Sequence, residues 1–267
     1  MPRKSRLDLH LLTKGLVKSR EQAQKLIRAG KVRDRNGKLL DKPGQEVLID
    51  LEVHVQNLPR FVSRGGEKLN AALSTFPIEV KNRICLDAGI STGGFTDCLL
   101  QNGATRIYGI DVGYGQIAWK LRNDQRVFLH ERQNLRYLTP EVLYGSTHPW
   151  ANLAVADLSF ISLRIVLPVL KSLLTEDSEA IVLVKPQFEV GRERVGKGGI
   201  VREVTAHIDA LKGVIDNARK LNWFAKNLIA SPITGAAGNH EYLLWLGNQE
   251  ENDSFPSLEK LVLDTLN

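Results

Sequence analysis

The sequence has few cysteines and no long uninterrupted hydrophobic run. Among 267 residues only Cys85 and Cys98 occur, and both lie within apolar stretches. We therefore expect two buried thiols in a reducing compartment rather than a disulfide. The best candidate for a membrane span, residues 159–174, is interrupted by a proline and two basic residues. It is also shorter than the about 20 apolar residues that a spanning helix needs, so it predicts a buried amphipathic helix.

Several functional signatures are also missing. No apolar segment follows the charged residues 1–8, so we expect no signal peptide, no membrane partner and a cytoplasmic location. The histidines show no spacing typical of a metal site, and none is predicted. A hydrophobic content of 43% suffices for one sizeable core and a small companion domain. The sequence leaves the oligomeric state open.

The excess positive charge is confined to the N-terminal part. Residues 1–68 carry 16 Lys/Arg against 8 Asp/Glu, whereas the remaining residues carry 20 against 22. A run of charge is usually only a solvated face, so this asymmetry alone does not decide the function. It becomes informative because the basic residues lie on a small fold with its own sequence signals.

That small fold is predicted from helix and turn signals. Ser19 is followed three positions later by Gln22, and the apolar stripe over residues 23–27 stops at Gly30, which marks a short helix. Other signals are a helix over residues 7–12, a tight turn at Asn36-Gly37 and a strand over residues 47–50. Residues 1–59 are therefore predicted to form an α+β domain with two helices and a small sheet.

Basic side chains cluster on the predicted helices and the loop that follows them. Such a surface contacts phosphates without reading base sequence, so we expect an RNA-binding face. The candidates are Arg3, Arg6, Arg20, Arg28, Lys31 and Arg33. For the apolar positions and Gly30, a purely structural role is the preferred interpretation.

A second domain is predicted to begin near Arg64. Pro59 and the Gly65-Gly66 pair break any regular element, so residues 60–63 are interpreted as a linker. Strand and helix patterns then alternate, which predicts an α/β domain over residues 64–247 with a mostly parallel, seven-stranded sheet. The predicted strands are 84–87, 107–111, 127–131, 153–157, 180–184, 227–231 and 241–246, with helices from Gly94, Leu163 and Thr205.

The last two predicted strands lie too close in sequence for a helix between them. They are therefore expected to form a hairpin in which the last strand is antiparallel. No function is predicted for the C-terminal tail, residues 248–267.

A glycine-rich loop follows the first strand of this sheet. Because ligands bind at the carboxyl ends of such strands, this loop and Asp111, at the end of the next strand, predict a nucleoside site. The glycine spacing fits neither a dinucleotide motif nor a phosphate-binding loop, so S-adenosylmethionine is the predicted cofactor. The candidate cofactor-binding residues are Asp87, Gly89, Ser91, Thr92, Gly93, Gly94, Asp111 and Asn134, the last facing the adenine edge.

The same loop also satisfies the G-x-S-x-G pattern of hydrolases. Ser91, Asp157 and His240 would supply a triad in the right chain order. An acid at Asp87 and the position of the loop on the first strand argue against this interpretation. Hydrolase stays the minority alternative.

Four polar residues point to chemistry on a hydroxyl group. Asp157 and Lys185 terminate apolar strands, where a charge has no reason to lie unless it is paired or functional. Glu241 begins the last strand, and Lys68 is expected to precede the first helix of the domain. We therefore group Lys68, Asp157, Lys185 and Glu241 as candidate catalytic residues.

The whole pattern resembles the TlyA family, also called haemolysin A. The likeness is carried by residues 63–69, 87–97, 157–162, 185–189 and 239–242, and the N-terminal part is similar to an RNA-binding domain first described in a small-subunit ribosomal protein. The resemblance implies a class I (Rossmann-like) methyltransferase of the FtsJ type that methylates a cytidine ribose 2′-hydroxyl in ribosomal RNA. It also implies that Lys68, Asp157, Lys185 and Glu241 form the family's catalytic tetrad, and that the linker couples RNA engagement to cofactor binding.

Methyl transfer to a ribose hydroxyl requires a base, and Lys185 is the predicted one. Burial and the second cation at Lys68 favour its neutral form, whereas Asp157 and Glu241 orient the lysines and oppose that effect. Residues 190–202 are predicted to be a mobile basic loop that acts as a lid. Further phosphate-contact candidates are Arg60, Arg64, Arg136 and Arg192.

The expected partner is ribosomal RNA within an assembled subunit. A noncatalytic RNA-binding protein and a haemolysin stay as alternatives.

Overall fold

A computed structural model describes residues 3–56, 59–146, 148–249, 255 and 257–267. The chain divides into two compact units, Met1–Arg60 and Phe61–Asn267. Among the described residues, no helix is both long and apolar enough to cross a membrane.

The first unit is a small α+β fold, as predicted. Its elements are β1 (Lys4–Arg6), α1 (Leu7–Thr13), α2 (Arg20–Arg28), β2 (Val32–Asp34), β3 (Glu46–Leu48) and β4 (Val53–Val55). The prediction of one small sheet was wrong, because β1 pairs with β3 and β2 with β4 in two separate antiparallel pairs. Leu7, Leu11, Leu26 and Ile27 form its core.

Helix α2 begins where the sequence indicated. The Ser19 hydroxyl accepts a hydrogen bond from the Gln22 amide at 3.1 Å. The Gln22 side chain in turn accepts from the Lys18 amide at 2.8 Å, one residue earlier than a standard capping box would place it.

The described part of the second unit contains a seven-stranded sheet. Its strands are β5 (Ile84–Ala88), β6 (Arg106–Asp111), β7 (Val127–Glu131), β8 (Ala151–Ala156), β9 (Leu174–Val184), β10 (Phe224–Ala230) and β11 (Tyr242–Gly247). Their order is β10-β11-β9-β8-β5-β6-β7, and β11 runs antiparallel to both of its neighbours. The predicted fold class and closing hairpin are confirmed.

Helices cover both faces of this sheet. They are α3 (Gly65–Thr75), α4 (Gly94–Gln101), α5 (Trp119–Arg122), α6 (Pro140–Tyr144), α7 (Leu163–Ser172), α8 (Pro186–Glu189), α9 (Val204–Arg219) and α10 (Leu258–Leu266). Successive strand residues alternate between two cores: Cys85 packs in one and Leu86 in the other, and Ile181 and Val182 divide in the same way. This alternation shows why the strands are apolar throughout. Helix α7 is the amphipathic helix expected within residues 159–174.

Both cysteines are buried, as expected, and neither forms a disulfide. Burial raises the pKa of the Cys85 thiol to about 12. A thiol with so high a pKa stays protonated and inert at physiological pH.

Helix α3 was not predicted, and its two glycines explain why. They were interpreted as helix breakers, but Gly65 and Gly66 begin the helix. A Cβ on Gly66 would lie 2.3 Å from the Cβ of Phe61, and a Cβ on Gly94 would lie 2.3 Å from the Ser63 hydroxyl. Gly66 therefore allows close packing against Phe61, and Gly94 allows α4 to approach Ser63 and the start of α3.

The segment interpreted as a linker packs closely at its C-terminal end. Phe61 is buried, and the Val62 amide donates to Oδ2 of Asp97 in α4 at 2.9 Å. Phe61 to Ser63 thus lie against the helix that follows the glycine-rich loop.

Candidate active site

Three of the four candidate catalytic residues lie at the ends of neighbouring strands. Asp157 follows β8 directly and Lys185 follows β9. Glu241 precedes β11, whose first residue, Tyr242, pairs with the last residue of β9, Val184. Because β8, β9 and β11 are adjacent, the sheet brings these side chains to one edge.

Lys185 and Asp157 form an ion pair. Nζ of Lys185 lies 2.7 Å from Oδ1 of Asp157 and donates to the Ser159 hydroxyl at 2.9 Å. The lysine side chain is 9% exposed and the aspartate 24%. The pair is therefore largely desolvated but open on the carboxylate side.

Lys68 and Glu241 form the second ion pair, with Nζ 2.5 Å from Oε2. Their side chains are 10% and 3% exposed. The prediction that Lys68 precedes the first helix was wrong, because it lies in the first turn of α3. A Cβ on Gly235 would lie 2.5 Å from Oε1 of Glu241, so this glycine makes room for the pair.

A cavity of about 380 Å³ joins the two ion pairs. Lys68, Asp157 and Ser159 line it, together with Arg64 and part of the glycine-rich loop. One member of each ion pair therefore faces this cavity, while their partners Lys185 and Glu241 do not line it.

The glycine-rich loop approaches the strand ends closely. Gly89 has φ +86°, and a Cβ there would lie 2.6 Å from the carbonyl oxygen of Asp157. Gly93 has φ +92°, and a Cβ there would lie 2.3 Å from Leu121. Both positions require glycine. Thr92 and Gly94 line the same 380 Å³ cavity.

Asp87 is fully buried beneath this loop. Oδ2 accepts from the Thr96 hydroxyl at 2.6 Å, while Oδ1 has no hydrogen-bond partner among the described residues. Burial raises the pKa of Asp87 from 3.8 to about 7, with a smaller contribution from the charge of Asp157. A buried carboxylate oxygen without a donor indicates a place for a ligand's donor group.

Asp111 lies in a second cavity of about 530 Å³, on the other side of Gly89 and Ser91. Its Oδ2 accepts from the Ser91 amide at 2.8 Å and its Oδ1 from the Gly113 amide at 2.7 Å. Each carboxylate oxygen has a second lone pair. Asn134 lines the same cavity, and its Oδ1 accepts from the Arg136 amide at 3.1 Å.

These residues fit S-adenosylmethionine. The two cavities share Gly89, Ser91, Asp157 and Ser159, so they form one continuous cleft along the strand ends. Asp111 suits ribose hydroxyls, and Oδ1 of Asp87 suits an ammonium group. Gly89 and Gly94 line this cleft without a side chain, which leaves their backbone open to a ligand.

The hydrolase arrangement is not assembled. The Ser91 hydroxyl has Gln116 as its partner, at 3.4 Å, and within the described residues no histidine bonds to it. Nor do the described residues contain a group of three or more His, Cys, Asp or Glu side chains placed to hold a metal ion.

The predicted RNA-contact residues are mostly exposed. In the first unit, Arg3 and Arg28 have exposed side chains, Lys31 donates to Gln56, and Arg33 donates to the Gly37 carbonyl. Arg6 and Arg20 both bond to Asp8. Arg60 is exposed at the end of this unit. In the second unit, Arg64, Arg136 and Arg192 are exposed, and the first two line the cleft.

The segment predicted to be a mobile lid has defined local structure. Residues Arg192–Arg194 and Lys197–Gly199 form 3-10 turns. Arg194 donates to Asp209 at 2.6 Å and to Thr205 at 2.9 Å, both on α9. Asn239 accepts from the Val201 amide at 3.0 Å, so the segment is anchored at Arg194 and near its C-terminal end.

Sequence reasoning missed several side chains. Phe160 is 91% exposed, has φ +63° and lines the larger cavity. Ser159 bonds to Lys185, and Glu189 accepts from the Ser162 hydroxyl and the Leu163 amide at 2.6 and 2.7 Å. Ser159 and Phe160 lie two and three positions after Asp157, so their place after a strand end was the signal that could have identified them.

Comparison with known proteins agrees with this geometry. The FtsJ-like methyltransferase family matches residues 61–248, and the S4 domain matches residues 5–53. The prediction of a methyltransferase is thereby confirmed.

Related proteins match along nearly the whole chain. A candidate rRNA methyltransferase of Bacillus subtilis, YqxC, is 49% identical over 261 residues, which cover 96% of this chain and 92% of the relative. The 16S/23S rRNA (cytidine-2′-O)-methyltransferase TlyA of Mycobacterium tuberculosis is 47% identical, with 94% and 92% covered. A solved structure of a candidate hemolysin from Streptococcus thermophilus is 42% identical with a TM-score of 0.73, covering 99% of this chain and 96% of the other. This chain therefore belongs to the FtsJ-like methyltransferase family and carries an S4 domain before its methyltransferase domain.

Proposed function

We propose that this protein transfers the methyl group of S-adenosylmethionine to the ribose 2′-hydroxyl of a cytidine in ribosomal RNA. The observation that carries the proposal is that two largely buried lysine–carboxylate pairs lie beside one cleft, which Lys68 and Asp157 line. The name of the relative from Mycobacterium tuberculosis supports the choice of RNA and nucleotide.

The cofactor would be held by residues of the glycine-rich loop and the two strand ends that flank it. Asp111 would accept from the ribose hydroxyls, and Oδ1 of Asp87 would accept from the ammonium group. Asn134 would offer its amide nitrogen to the adenine edge. Gly89, Ser91, Thr92, Gly93 and Gly94 provide the close backbone surface. When bound, S-adenosylmethionine supplies an activated methyl group.

Lys185 is the proposed general base. Its Nζ accepts the proton of the ribose hydroxyl as the oxygen becomes nucleophilic. Asp157 and Ser159 lie 2.7 and 2.9 Å from Nζ and so fix the position of the atom that receives the proton. Glu241 holds Lys68 in the neighbouring ion pair, so each lysine of the site has its own carboxylate partner.

The acceptor nucleotide would meet an aromatic side chain at the cleft. Phe160 is almost fully exposed, and every nucleic acid base offers a face on which such a ring can stack. Arg64 and Arg136, which line the cleft, suit the flanking phosphates.

An assembled ribosomal subunit is the proposed form of the substrate. Phosphate contacts from the basic first unit carry no base sequence, so recognition needs RNA whose phosphates are held in a fixed shape. An assembled subunit provides that shape, and the reaction is placed in the cytoplasm, where subunits occur.

The test is methyl transfer from labelled S-adenosylmethionine to purified small subunits, large subunits and protein-free ribosomal RNA. We expect label in the RNA of a subunit. The labelled nucleotide should resist alkaline cleavage on its 3′ side, because a methylated 2′-oxygen cannot attack the phosphodiester. Mass spectrometry of the nuclease digest then identifies the nucleoside.

Lys185→Ala should abolish the label, and Lys212→Ala, at an exposed position on α9, should retain it. Label that stays alkali-sensitive, or that lies on a base or a protein, would contradict ribose methylation. Equal labelling of protein-free RNA would contradict the subunit as the proposed form of the substrate.

A further inference from the structure

Asp8 is a buried carboxylate in a unit with excess positive charge. Oδ1 accepts from Nε of Arg6 at 3.1 Å, and Oδ2 accepts from Nη2 of Arg6 at 3.1 Å and from Nε of Arg20 at 2.9 Å. The Asp8 side chain has no exposed surface, whereas those of Arg6 and Arg20 are 46% and 49% exposed. One buried anion therefore holds two exposed cations through a shared oxygen.

Two further donors fix the carboxylate itself. Gln24 donates to Oδ2 and the Leu9 amide donates to Oδ1, both at 3.0 Å. The hydrogen bonds from Arg6 hold the pKa of Asp8 far below its usual range, so the group is charged at any physiological pH. Since a buried charge must keep its partners, both arginines are held in place.

The two guanidinium groups keep unused donors. In the part of the chain that the structure describes, Nη1 of Arg6 and both terminal nitrogens of Arg20 have no hydrogen-bond partner. A guanidinium fork matches the oxygen spacing of a phosphate and binds it with directed hydrogen bonds. Two forks fixed by one carboxylate make a preformed anion site.

We propose that Asp8 is a positioning residue that sets Arg6 and Arg20 as one clamp for the phosphodiester backbone of structured RNA. This inference rests on the proposed function and assigns a role to a residue that itself repels RNA. Simple charge arithmetic predicts that removal of the anion strengthens RNA binding. Preorganisation predicts the opposite, because two long side chains must then be ordered on binding.

The test compares full-length wild type, Asp8→Asn and Asp41→Asn. Asp41 is an exposed carboxylate of the same unit, so its substitution removes the same charge without touching the clamp. Binding of in vitro transcribed ribosomal RNA is measured by fluorescence anisotropy at several salt concentrations, and circular dichroism monitors folding.

We expect Asp8→Asn to weaken binding about tenfold, through lost preorganisation of two side chains. The slope of log affinity against log salt should become shallower by about one to two, as one or two phosphate contacts are lost. Asp41→Asn should bind as wild type or slightly more tightly. A folded Asp8→Asn protein that binds as tightly as Asp41→Asn overturns the proposal.

Arg20→Lys tests the proposal independently if Asp8→Asn does not fold. It keeps the charge at an exposed position but removes the fork, so we expect clearly weaker binding, and binding equal to wild type overturns the proposal. In an Arg6→Gln/Arg20→Gln background, Asp8→Asn should no longer weaken binding. Failure of the wild type to bind ribosomal RNA would remove the proposed function and this inference together, whereas wild-type binding with unaffected variants would remove this inference alone.

Discussion

Nζ of Lys185 lies 2.7 Å from Oδ1 of Asp157, and the two residues directly follow neighbouring strands of one sheet. The lysine is nearly buried, while the carboxylate keeps 24% of its side-chain surface exposed. The pair is therefore held at the ends of two interior strands, and Asp157 faces the cleft. A proton received by Lys185 has a defined neighbour in Asp157.

The first prediction concerns Lys185→Arg. Arginine keeps the positive charge and can still pair with Asp157, but it cannot act as a base at physiological pH. We expect the rate of methyl transfer at saturating substrates to fall by about 10²–10⁴-fold, the usual contribution of a general base. Single-turnover assays with labelled cofactor measure this rate.

The affinity of Lys185→Arg for S-adenosylmethionine shows whether the substitution affects catalysis alone. Lys185 does not line either cavity, so calorimetry should give unchanged S-adenosylmethionine binding. Lys212→Arg, at a position that is 55% exposed, is the control and should keep full activity. Near-normal transfer by Lys185→Arg would show that the residue acts only through its charge.

The pair between Lys68 and Glu241 leads to a prediction about stability. Removal of one partner leaves a buried charge unpaired, so Lys68→Met or Glu241→Gln alone should lower the free energy of unfolding by about 3–5 kcal/mol. The double variant should lose less than the sum of the two, because neither charge is then stranded. Urea unfolding of the cofactor-free protein measures all three.

The surface pair between Lys212 and Glu259 is the control for this cycle. Its atoms are 3.8 Å apart and its side chains are 55% and 61% exposed, so each substitution there should change stability by less than about 1 kcal/mol. The double variant at Lys68 and Glu241 should regain stability without regaining methyl transfer. If the loss of unfolding free energy in the double variant equalled the sum of the two single losses, Lys68 and Glu241 would not interact energetically.

Much of this site could be predicted because strand ends are visible in a sequence. Asp157 and Lys185 follow long apolar runs, and parallel strands bring such positions to one edge. The pairing partners could not be predicted in this way. That Glu241 bonds to Lys68 depends on helix α3, whose opening glycines were interpreted as a break.

The missed residues share a physical reason. Asp8 and Glu189 are buried anions whose roles depend on donors from other elements of the fold. A carboxylate beside arginines in sequence is ordinarily an exposed surface residue. Only the fold shows that Asp8 is enclosed while the arginines are not. The mostly parallel sheet and its closing hairpin could be anticipated from element alternation, whereas such side-chain burial could not.

Phe160 gives a prediction about RNA affinity. Loss of base stacking by Phe160→Ala should raise the KM for ribosomal subunits by about 5–150-fold, which corresponds to about 1–3 kcal/mol per base. Cofactor binding should not change. Phe160→Trp should retain most of the affinity, and Ile165→Ala, at a half-exposed position on α7, should have no effect.

The backbone at Phe160 allows a sharper version of the same experiment. Its φ of +63° is unfavourable for a bulky residue and favourable for glycine. Phe160→Gly should therefore leave the melting temperature unchanged or raised, while RNA affinity falls as in the alanine variant. A drop in melting temperature would indicate that the ring is needed for folding.

Asp87 gives a prediction about pH. Burial raises its pKa from 3.8 to about 7, so the folded, cofactor-free protein holds a proton that the unfolded chain has already released. The stabilising contribution is complete below about pH 4 and is lost as the pH rises to about 7. Asp87→Asn should therefore stabilise the cofactor-free protein at pH 8 relative to wild type, but not at pH 4, as thermal unfolding would show.

The same group should control cofactor binding. The ammonium group of S-adenosylmethionine favours the ionised carboxylate, so affinity should rise from pH 5.5 to about 7 and then level off, by at most about tenfold per pH unit. In Asp87→Asn the affinity should be lower at pH 8 and nearly independent of pH. Asp216→Asn, at an exposed position on α9, should follow the wild-type curve. Calorimetry at several pH values measures these affinities. If affinity depended on pH in the same way in wild type and Asp87→Asn, the titrating group would be another residue, and Asp87 would not bind the ammonium group of the cofactor.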